Sequence, residues 1–188
     1  MTGVAAWLVA ASWGMKALGD YSFRPGEPGV ATERWPEDSG LSRSQEHFTL
    51  VVGLHPECPC SRATAAQLER ILAHTAGKLR VVAVFDDRSS NVAMENSDLF
   101  GRLRAQGQVL AINDRDGAEL NRFGFRTSGD TRLYAPDGRL VFHGGITASR
   151  GHEGDNAGQS AVLAAVADGV RDAVPIRMPV FGCSLRCE

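Results

Sequence analysis

The sequence predicts an α/β fold, a central mixed sheet flanked by helices. Short and mostly apolar runs at Phe48–Leu54 and Leu79–Phe85 are typical of strands that are covered on both faces. Segments with apolar residues at helical spacing, such as Ser61–Thr75, separate and follow these runs. Strands and helices therefore alternate along the chain, which favours parallel strands joined by right-handed crossovers.

A turn signal, Pro136-Asp137-Gly138, lies between two later apolar runs and predicts an antiparallel hairpin. Asp155 or Asn156 is expected to cap the last helix. The predicted elements are strand 48–54, helix 61–75, strand 79–85, a helix through 99–103, strand 109–112, helix 117–123, hairpin strands 132–135 and 139–142, and helix 156–173. This order is the connectivity of a thioredoxin-type fold with one extra unit in the middle.

Composition narrows the classes of partner. The chain has 188 residues and a formal net charge of −2, and no run of like charges stands out. Nucleic acid is therefore excluded as the main partner. The four cysteines form two tight pairs, Cys58/Cys60 and Cys183/Cys187, a pattern that suits local redox or metal chemistry better than a disulfide scaffold.

The N-terminal segment indicates export or membrane attachment. Val4–Met15 has no charged residue, so it is predicted to be a signal-peptide core or a membrane anchor, with Lys16 reaching the interface. No Lys or Arg precedes the run, so a simple buried helix is the alternative. The predicted division is 1–19 as signal peptide or anchor, 20–44 as linker, 45–174 as the compact domain, and 175–188 as a cysteine-containing tail.

The motif Cys58-Pro59-Cys60 stands where a strand turns into a helix and predicts sulfur chemistry. Unpaired amides and aligned peptide dipoles at a helix start stabilise a thiolate, which attacks disulfides and binds soft metals. Cys58 is predicted to be the more exposed thiol and the nucleophile, and Cys60 the resolving thiol. His55 and Arg62 are nearby groups that favour the thiolate, although Arg62 also fits a solvated first-turn residue.

Three motifs resemble the thioredoxin-like redoxins, and more narrowly the membrane-anchored RedB-type proteins. They are HPECPCSRA at His55–Ala63, FGFRTSGDTRLYAPDGRL at Phe123–Leu140, and FHGGITASRGHEGDNAG at Phe142–Gly158. The resemblance implies a thiol-redox domain that faces the periplasm. Its partners would be protein thiols or disulfides, and it would require no cofactor.

The sequence departs from ordinary thioredoxins at three places. The cysteines are spaced Cys-x-Cys, and Ser128-Gly129-Asp130 replaces the proline that faces the thiols. Val51 and Val52 fill the place of the buried acid of the first strand. Thr127 and Ser128 are expected to face the thiols, where their hydroxyls can donate hydrogen bonds; an ordinary turn fits them equally well.

A copper-binding module is the alternative function. Cys58 and Cys60 can clamp Cu(I), and His143 or His152 is a candidate further ligand, an arrangement similar to that of Sco-type copper chaperones. The tail adds a candidate resolving thiol, Cys183, if Phe181 anchors it to the domain; a frayed terminus is the alternative. A thiol peroxidase fits less well, because that chemistry uses a single activated cysteine.

Overall fold

The computed structural model describes residues 2–86, 88, 90–169 and 174–185. A short 3-10 turn, Met94–Asn96, precedes the third helix. The helices are α1 (Thr2–Ser22), α2 (Pro59–His74), α3 (Asp98–Arg104), α4 (Ala118–Arg122) and α5 (Ala157–Asp168), and the strands are β1 (Phe48–Leu54), β2 (Leu79–Phe85), β3 (Val109–Asn113), β4 (Asp130–Tyr134), β5 (Leu140–Gly145) and β6 (Ile176–Arg177).

The strands form one mixed sheet in the order β3-β2-β1-β4-β5-β6. Strands β1, β2 and β3 are parallel, and β4 is antiparallel to both β1 and β5. The central part of this sheet has the predicted thioredoxin-type connectivity, and β3 is the extra strand at its outer edge. The short strand β6 comes from the tail and pairs parallel to β5, which the sequence did not predict.

Two apolar clusters cover the faces of the sheet. On one face, alternate residues of β1 such as Leu50 and Val52 pack with Leu68 and Ile71 of α2, in the cluster that α5 completes. On the other face, Val51 belongs to a cluster rich in aromatic rings. Strand β1 is buried along its whole length, as the continuous apolar run predicts for a central strand.

Helix caps agree with the sequence patterns. The Ser97 side chain accepts a hydrogen bond from the Phe100 amide and begins α3, and the Asn156 side chain accepts from the Gln159 amide and begins α5. Of the two predicted caps for the last helix, Asn156 is therefore the one used. The predicted end of that helix falls on residues 170–173, which lie outside the described part.

The segment predicted as a linker is packed against the domain. The Trp35 ring contacts the rings of Phe123 and Tyr134 edge-on, at centroid distances of 5.0 and 5.2 Å. The Leu140 amide donates a hydrogen bond to the Glu33 carbonyl at 2.8 Å. Residues 26–41 therefore cover the aromatic face of the sheet, because that cluster would otherwise be open to water. The boundary at residue 45 stays a prediction.

Helix α1 lies mostly outside the packed core. Large apolar side chains along it are exposed, including Trp7 (67%) and Trp13 (78%). Within the described residues, no helix combines the length and the apolarity that crossing a bilayer requires. The structure therefore shows the helix but not an apolar membrane span.

Candidate functional site

The two cysteines of the motif lie at the junction between β1 and α2, as predicted. Cys58 is the residue before the helix, and Pro59 is its first helical residue, a position where the missing amide proton costs nothing. The Cys58 amide donates to the His55 carbonyl at 3.2 Å, and the His55 amide donates to the Ser61 hydroxyl at 2.9 Å. These bonds hold the Cys58 side chain at the helix start.

A third cysteine completes the site. The sulfur atoms of Cys58, Cys60 and Cys183 all lie within 4.8 Å of one another. The Cys58 and Cys183 sulfurs are 3.0 Å apart and share a hydrogen bond. Both Cys58 and Cys60 are only 4% exposed, and Cys183 is half-buried. The expectation that Cys58 is the more exposed thiol is therefore wrong, because the tail covers the motif.

Of the two predicted hydroxyls, Ser128 meets the sulfurs. Its Oγ lies 3.2 Å from the Cys58 sulfur and accepts a hydrogen bond from the Cys183 amide at 3.2 Å. Thr127 instead donates its hydroxyl proton to the Glu27 carbonyl at 2.8 Å. Ser128 therefore links the cysteine motif to the tail, whereas Thr127 links the segment before β4 to the N-terminal segment.

The surroundings favour a thiolate at Cys58. Hydrogen bonds with Cys183 and then Cys60 lower the pKa of Cys58, and the Ser128 hydroxyl and the Ser61 amide add to them against the effect of burial. The hydrogen bond to Cys58 is also the main cause that raises the pKa of Cys183. This arrangement therefore favours ionisation of Cys58 over ionisation of Cys183.

Cys60 behaves differently from Cys58. Its hydrogen bond with Cys183 alone would lower the pKa of Cys60, but the hydrogen bond with Cys58, burial and the charge on Cys58 outweigh it, so the pKa is raised. The Gly151 amide also faces this sulfur and favours its ionised form. An ionised Cys58 therefore disfavours ionisation of Cys60.

The tail docks on the segment before β4 through backbone hydrogen bonds. The Ser128 amide donates to the Cys183 carbonyl, and the Leu185 amide donates to the Arg126 carbonyl, each at 2.8 Å. Thr127 and Ser184 form an antiparallel bridge between these bonds. The docked tail brings Cys183 to Cys58; Cys187, its predicted partner in a pair, lies outside the described residues.

Arg150 is a contact residue that sequence analysis did not single out. Its guanidinium donates to the Gly182 carbonyl, and also to the Arg24 carbonyl at 3.3 Å. Its backbone amide donates to the Ser22 carbonyl at 3.0 Å. Residues 150–156 are rich in polar side chains, but this composition does not indicate which of them reaches the tail.

The structure does not bring the predicted histidines to the sulfurs. Among the described residues, the group of side chains able to hold a metal contains the three cysteines and no histidine. His143 lines a cavity of about 480 Å³ beside Glu33 and Arg177, and burial lowers its pKa to about 4. His152 is exposed, with Nδ1 2.8 Å from the Arg150 carbonyl oxygen.

The remaining predicted side chains lie at the rim of the motif. Arg62 is exposed and lines a cleft together with Glu57 and Asp98, so the structure places it in a solvated first turn. The His55 Nδ1 atom accepts a hydrogen bond from the Glu57 amide at 3.3 Å. The largest contributions that lower the pKa of Cys58 come from Cys183, Cys60, Ser128 and Ser61 rather than from these two side chains.

Solved structures resemble this fold. A hypothetical protein from Sinorhizobium meliloti is 22% identical, with a TM-score of 0.58 over 75% of this chain and 80% of its own. An uncharacterized conserved protein from Geobacillus kaustophilus is 16% identical, with a TM-score of 0.59 over 88% and 93% of the two chains. A secreted disulfide oxidoreductase from Mycobacterium tuberculosis is 15% identical, with a TM-score of 0.47 over 66% and 83%.

At these identities the likeness is one of fold. No family model and no curated protein matches the chain. The fold is a mixed α/β fold with a six-stranded sheet flanked by helices, and function has to be argued from the sulfur site itself.

Proposed function

We propose that this protein is a thiol–disulfide oxidoreductase whose attacking group is the Cys58 thiolate. The supporting observation is the trio of sulfurs within 4.8 Å, in which Cys58 receives hydrogen bonds at the start of a helix. A stabilised thiolate beside two protonated thiols has both the nucleophile and the resolving group that disulfide exchange requires. No cofactor takes part.

The reaction balances with a partner disulfide as the oxidant. The Cys58 thiolate attacks one partner sulfur, a mixed disulfide forms, and the other partner sulfur leaves as a thiolate that takes up a proton from water. A second thiol of this protein then loses its proton and attacks the Cys58 sulfur, which releases the partner as a dithiol. The partner gains two electrons, and this protein is left with one internal disulfide.

We further propose Cys183 as the first resolving thiol, and Cys60 as the thiol that can take its place by exchange. The support is the 3.0 Å separation between the Cys58 and Cys183 sulfurs, since little movement is needed before a bond of about 2.05 Å forms. The half-buried Cys183 also lies nearer to solvent than Cys60 does.

Trapping the mixed disulfide tests this function. A protein with Cys60→Ser, Cys183→Ser and Cys187→Ser retains Cys58 alone and should hold a covalent glutathione adduct after incubation with glutathione disulfide, detected as added mass. The matched control carries Cys58→Ser in place of Cys60→Ser, so that it retains Cys60 alone, and it should react with glutathione disulfide much more slowly. Equal adduct formation by both proteins would refute the assignment of Cys58.

We propose that the domain works outside the cytoplasm, as a RedB-type protein with residues 1–19 as signal or anchor. The support is the uncharged run Val4–Met15 and the exposure of its apolar side chains in α1. Protease added to spheroplasts should digest the domain, whereas a cytoplasmic marker stays intact. Protection of both proteins until the cells are lysed would contradict this location.

Copper(I) delivery is the second candidate function, and the three-sulfur group favours it. Soft thiolates select Cu(I), and Cys58, Cys60 and Cys183 can supply three of them. Competition with a coloured Cu(I) chelator should show one equivalent bound, and Cys183→Ser should weaken that binding. His143→Ala and His152→Ala should leave it unchanged; a loss with either histidine variant would contradict the three-sulfur site.

A further inference from the structure

The docked tail is bound as an added strand. Residues 182–185 run antiparallel to residues 126–128, and the two backbone hydrogen bonds flank the Thr127–Ser184 bridge. Backbone bonding of this kind can be made by any extended peptide, because it uses no side chain. The structure thus shows a strip of backbone that accepts an extended segment directly beside Cys58.

Side chains along the bound segment alternate in direction. Cys183 faces the Cys58 sulfur, Ser184 is exposed, and Leu185 is 2% exposed. This alternation is that of a strand, in which residues two apart point to the same side. A cysteine and a leucine two positions later therefore face the protein together.

A pocket receives Leu185 because β1 carries a glycine opposite it. A methyl group at Gly53 would lie 3.1 Å from the Leu185 side chain, 3.0 Å from that of Phe125 and 3.2 Å from that of Leu120. Leu185 packs in the aromatic-rich cluster with the latter two residues. A side chain at position 53 would therefore crowd the apolar group that lies there.

We infer that this peptide seat, formed by Cys58, Gly53 and residues 126–128, binds extended partner segments with a Cys-x-Leu pattern, and that the tail is a built-in occupant of the seat. The inference rests on the proposed function and names its substrate class. The backbone bonds fix the register, the cysteine reaches Cys58, and the apolar residue two positions later supplies the preference. Partners with a polar residue at that position bind less well.

The tail and a partner compete for the seat. An occupant on the same chain has an effective concentration in the millimolar range, so the tail must leave before a partner can bind. Its return to the seat after the mixed disulfide has formed brings Cys183 back to the Cys58 sulfur as the resolving thiol. The backbone of Gly182 passes close to the seat, since a Cβ there would lie 1.9 Å from the Ser128 carbonyl oxygen. Gly182→Ala should therefore displace the tail without altering the seat.

The test uses the full chain with Cys58 as its only cysteine, by Cys60→Ser, Cys183→Ser and Cys187→Ser, together with Gly182→Ala. The probe is a peptide with the sequence of residues 181–185, FGCSL, whose cysteine carries a thionitrobenzoate group. The Cys58 thiolate attacks the peptide sulfur, the Cys58–peptide disulfide forms, and coloured thionitrobenzoate leaves. A second peptide, FGCSS, and a third that is N-methylated on the leucine amide are compared with it.

FGCSL should react about tenfold faster than FGCSS, because burial of the leucine side chain in the pocket favours binding of the first peptide by about that factor. The N-methylated peptide should also react more slowly, since it cannot donate to the Arg126 carbonyl. The matched control for the tail is Gly101→Ala, where an added Cβ meets nothing within 4 Å. In the same cysteine background, the Gly101→Ala protein should react more slowly with FGCSL than the Gly182→Ala protein does, because its tail still occupies the seat.

Failure of the peptide seat can be told apart from failure of the oxidoreductase function with dithiobis(nitrobenzoate), a small disulfide that also releases thionitrobenzoate. If Cys58 reacts with it and with all three peptides at equal rates, the peptide seat is refuted and the oxidoreductase function stands. If Cys58 reacts with neither the small disulfide nor any peptide, both proposals are refuted. Leu185→Ala offers a second way to displace the tail and should show the same order of peptide rates.

Discussion

Removal of the Leu185 side chain should expose the sulfur site by releasing the tail. Leu185 is 2% exposed and packs against Leu120 and Phe125, whereas the preceding Ser184 is exposed to solvent. Truncation of a buried leucine to alanine costs about 2–5 kcal/mol. Because the tail is a surface segment whose neighbours can close on the space, we take about 2 kcal/mol, which corresponds to an opening about 30-fold more frequent.

The assay is alkylation of each cysteine in the reduced protein, followed by peptide mass spectrometry. Cys58 should be labelled about 30-fold faster in Leu185→Ala than in the unaltered protein, since labelling requires the tail to open. The control is Leu110→Ala, which removes the same atoms from a residue that is 53% exposed. An unchanged rate at Cys58, or the same increase in the control, would refute the reasoning that the tail seals the site.

Three further outcomes are expected. Cys183→Ala removes the strongest hydrogen bond that lowers the pKa of Cys58, so the pH at which Cys58 becomes reactive to iodoacetamide should rise; an unchanged pH profile would contradict this. Arg132 is fully buried and paired with Asp130. Arg132→Met should therefore lower the free energy of unfolding, measured in urea, by about 3–5 kcal/mol, because it leaves a buried charge without its partner. Adding Asp130→Asn should recover part of that loss, and no recovery would count against the pairing. Burial, and then the charge of Arg132, lowers the pKa of His143 to about 4. As the pH falls, the unfolded state therefore takes up the proton before the folded state does. The free energy of unfolding should decrease as the pH drops from about 6.5 to about 4. His143→Gln should remove about 1 kcal/mol of that fall, a value reduced for solvent screening, and an unaltered stability-against-pH curve would contradict it.

The strand and helix order could be predicted because it depends on local patterns. Phe48–Leu54 and Leu79–Phe85 have the bounds that their apolar runs indicate, and Ser97 begins α3 as a capping residue should. Helix α2 begins two residues earlier than its amphipathic pattern did, because Pro59 is well suited to a first helical position. Patterns with a period of two or nearly four residues carry this information within a short window.

The cover over the sulfur site could not be predicted with the same certainty, because it depends on contacts between distant parts of the chain. Cys183 meets Cys58 across 125 positions, and the apolar Phe181 beside it indicates that the tail can dock but does not fix the surface it covers. Likewise, the proline- and glycine-rich composition of residues 20–44 is typical of a linker, whereas Trp35 packs into an aromatic cluster. The absence of a side chain at Gly53 acquires its meaning only once Leu185 is seen beside it.

Arg150 connects the sulfur site to the first helix. It contacts the Gly182 carbonyl in the tail and the Ser22 and Arg24 carbonyls at the end of α1, and its guanidinium lies 5.1 Å from the centre of the Tyr21 ring. When the tail departs, this arginine loses one of the contacts that hold it in place. The same side chain therefore joins the tail to the end of α1, so release of the tail also removes part of the support of that helix end.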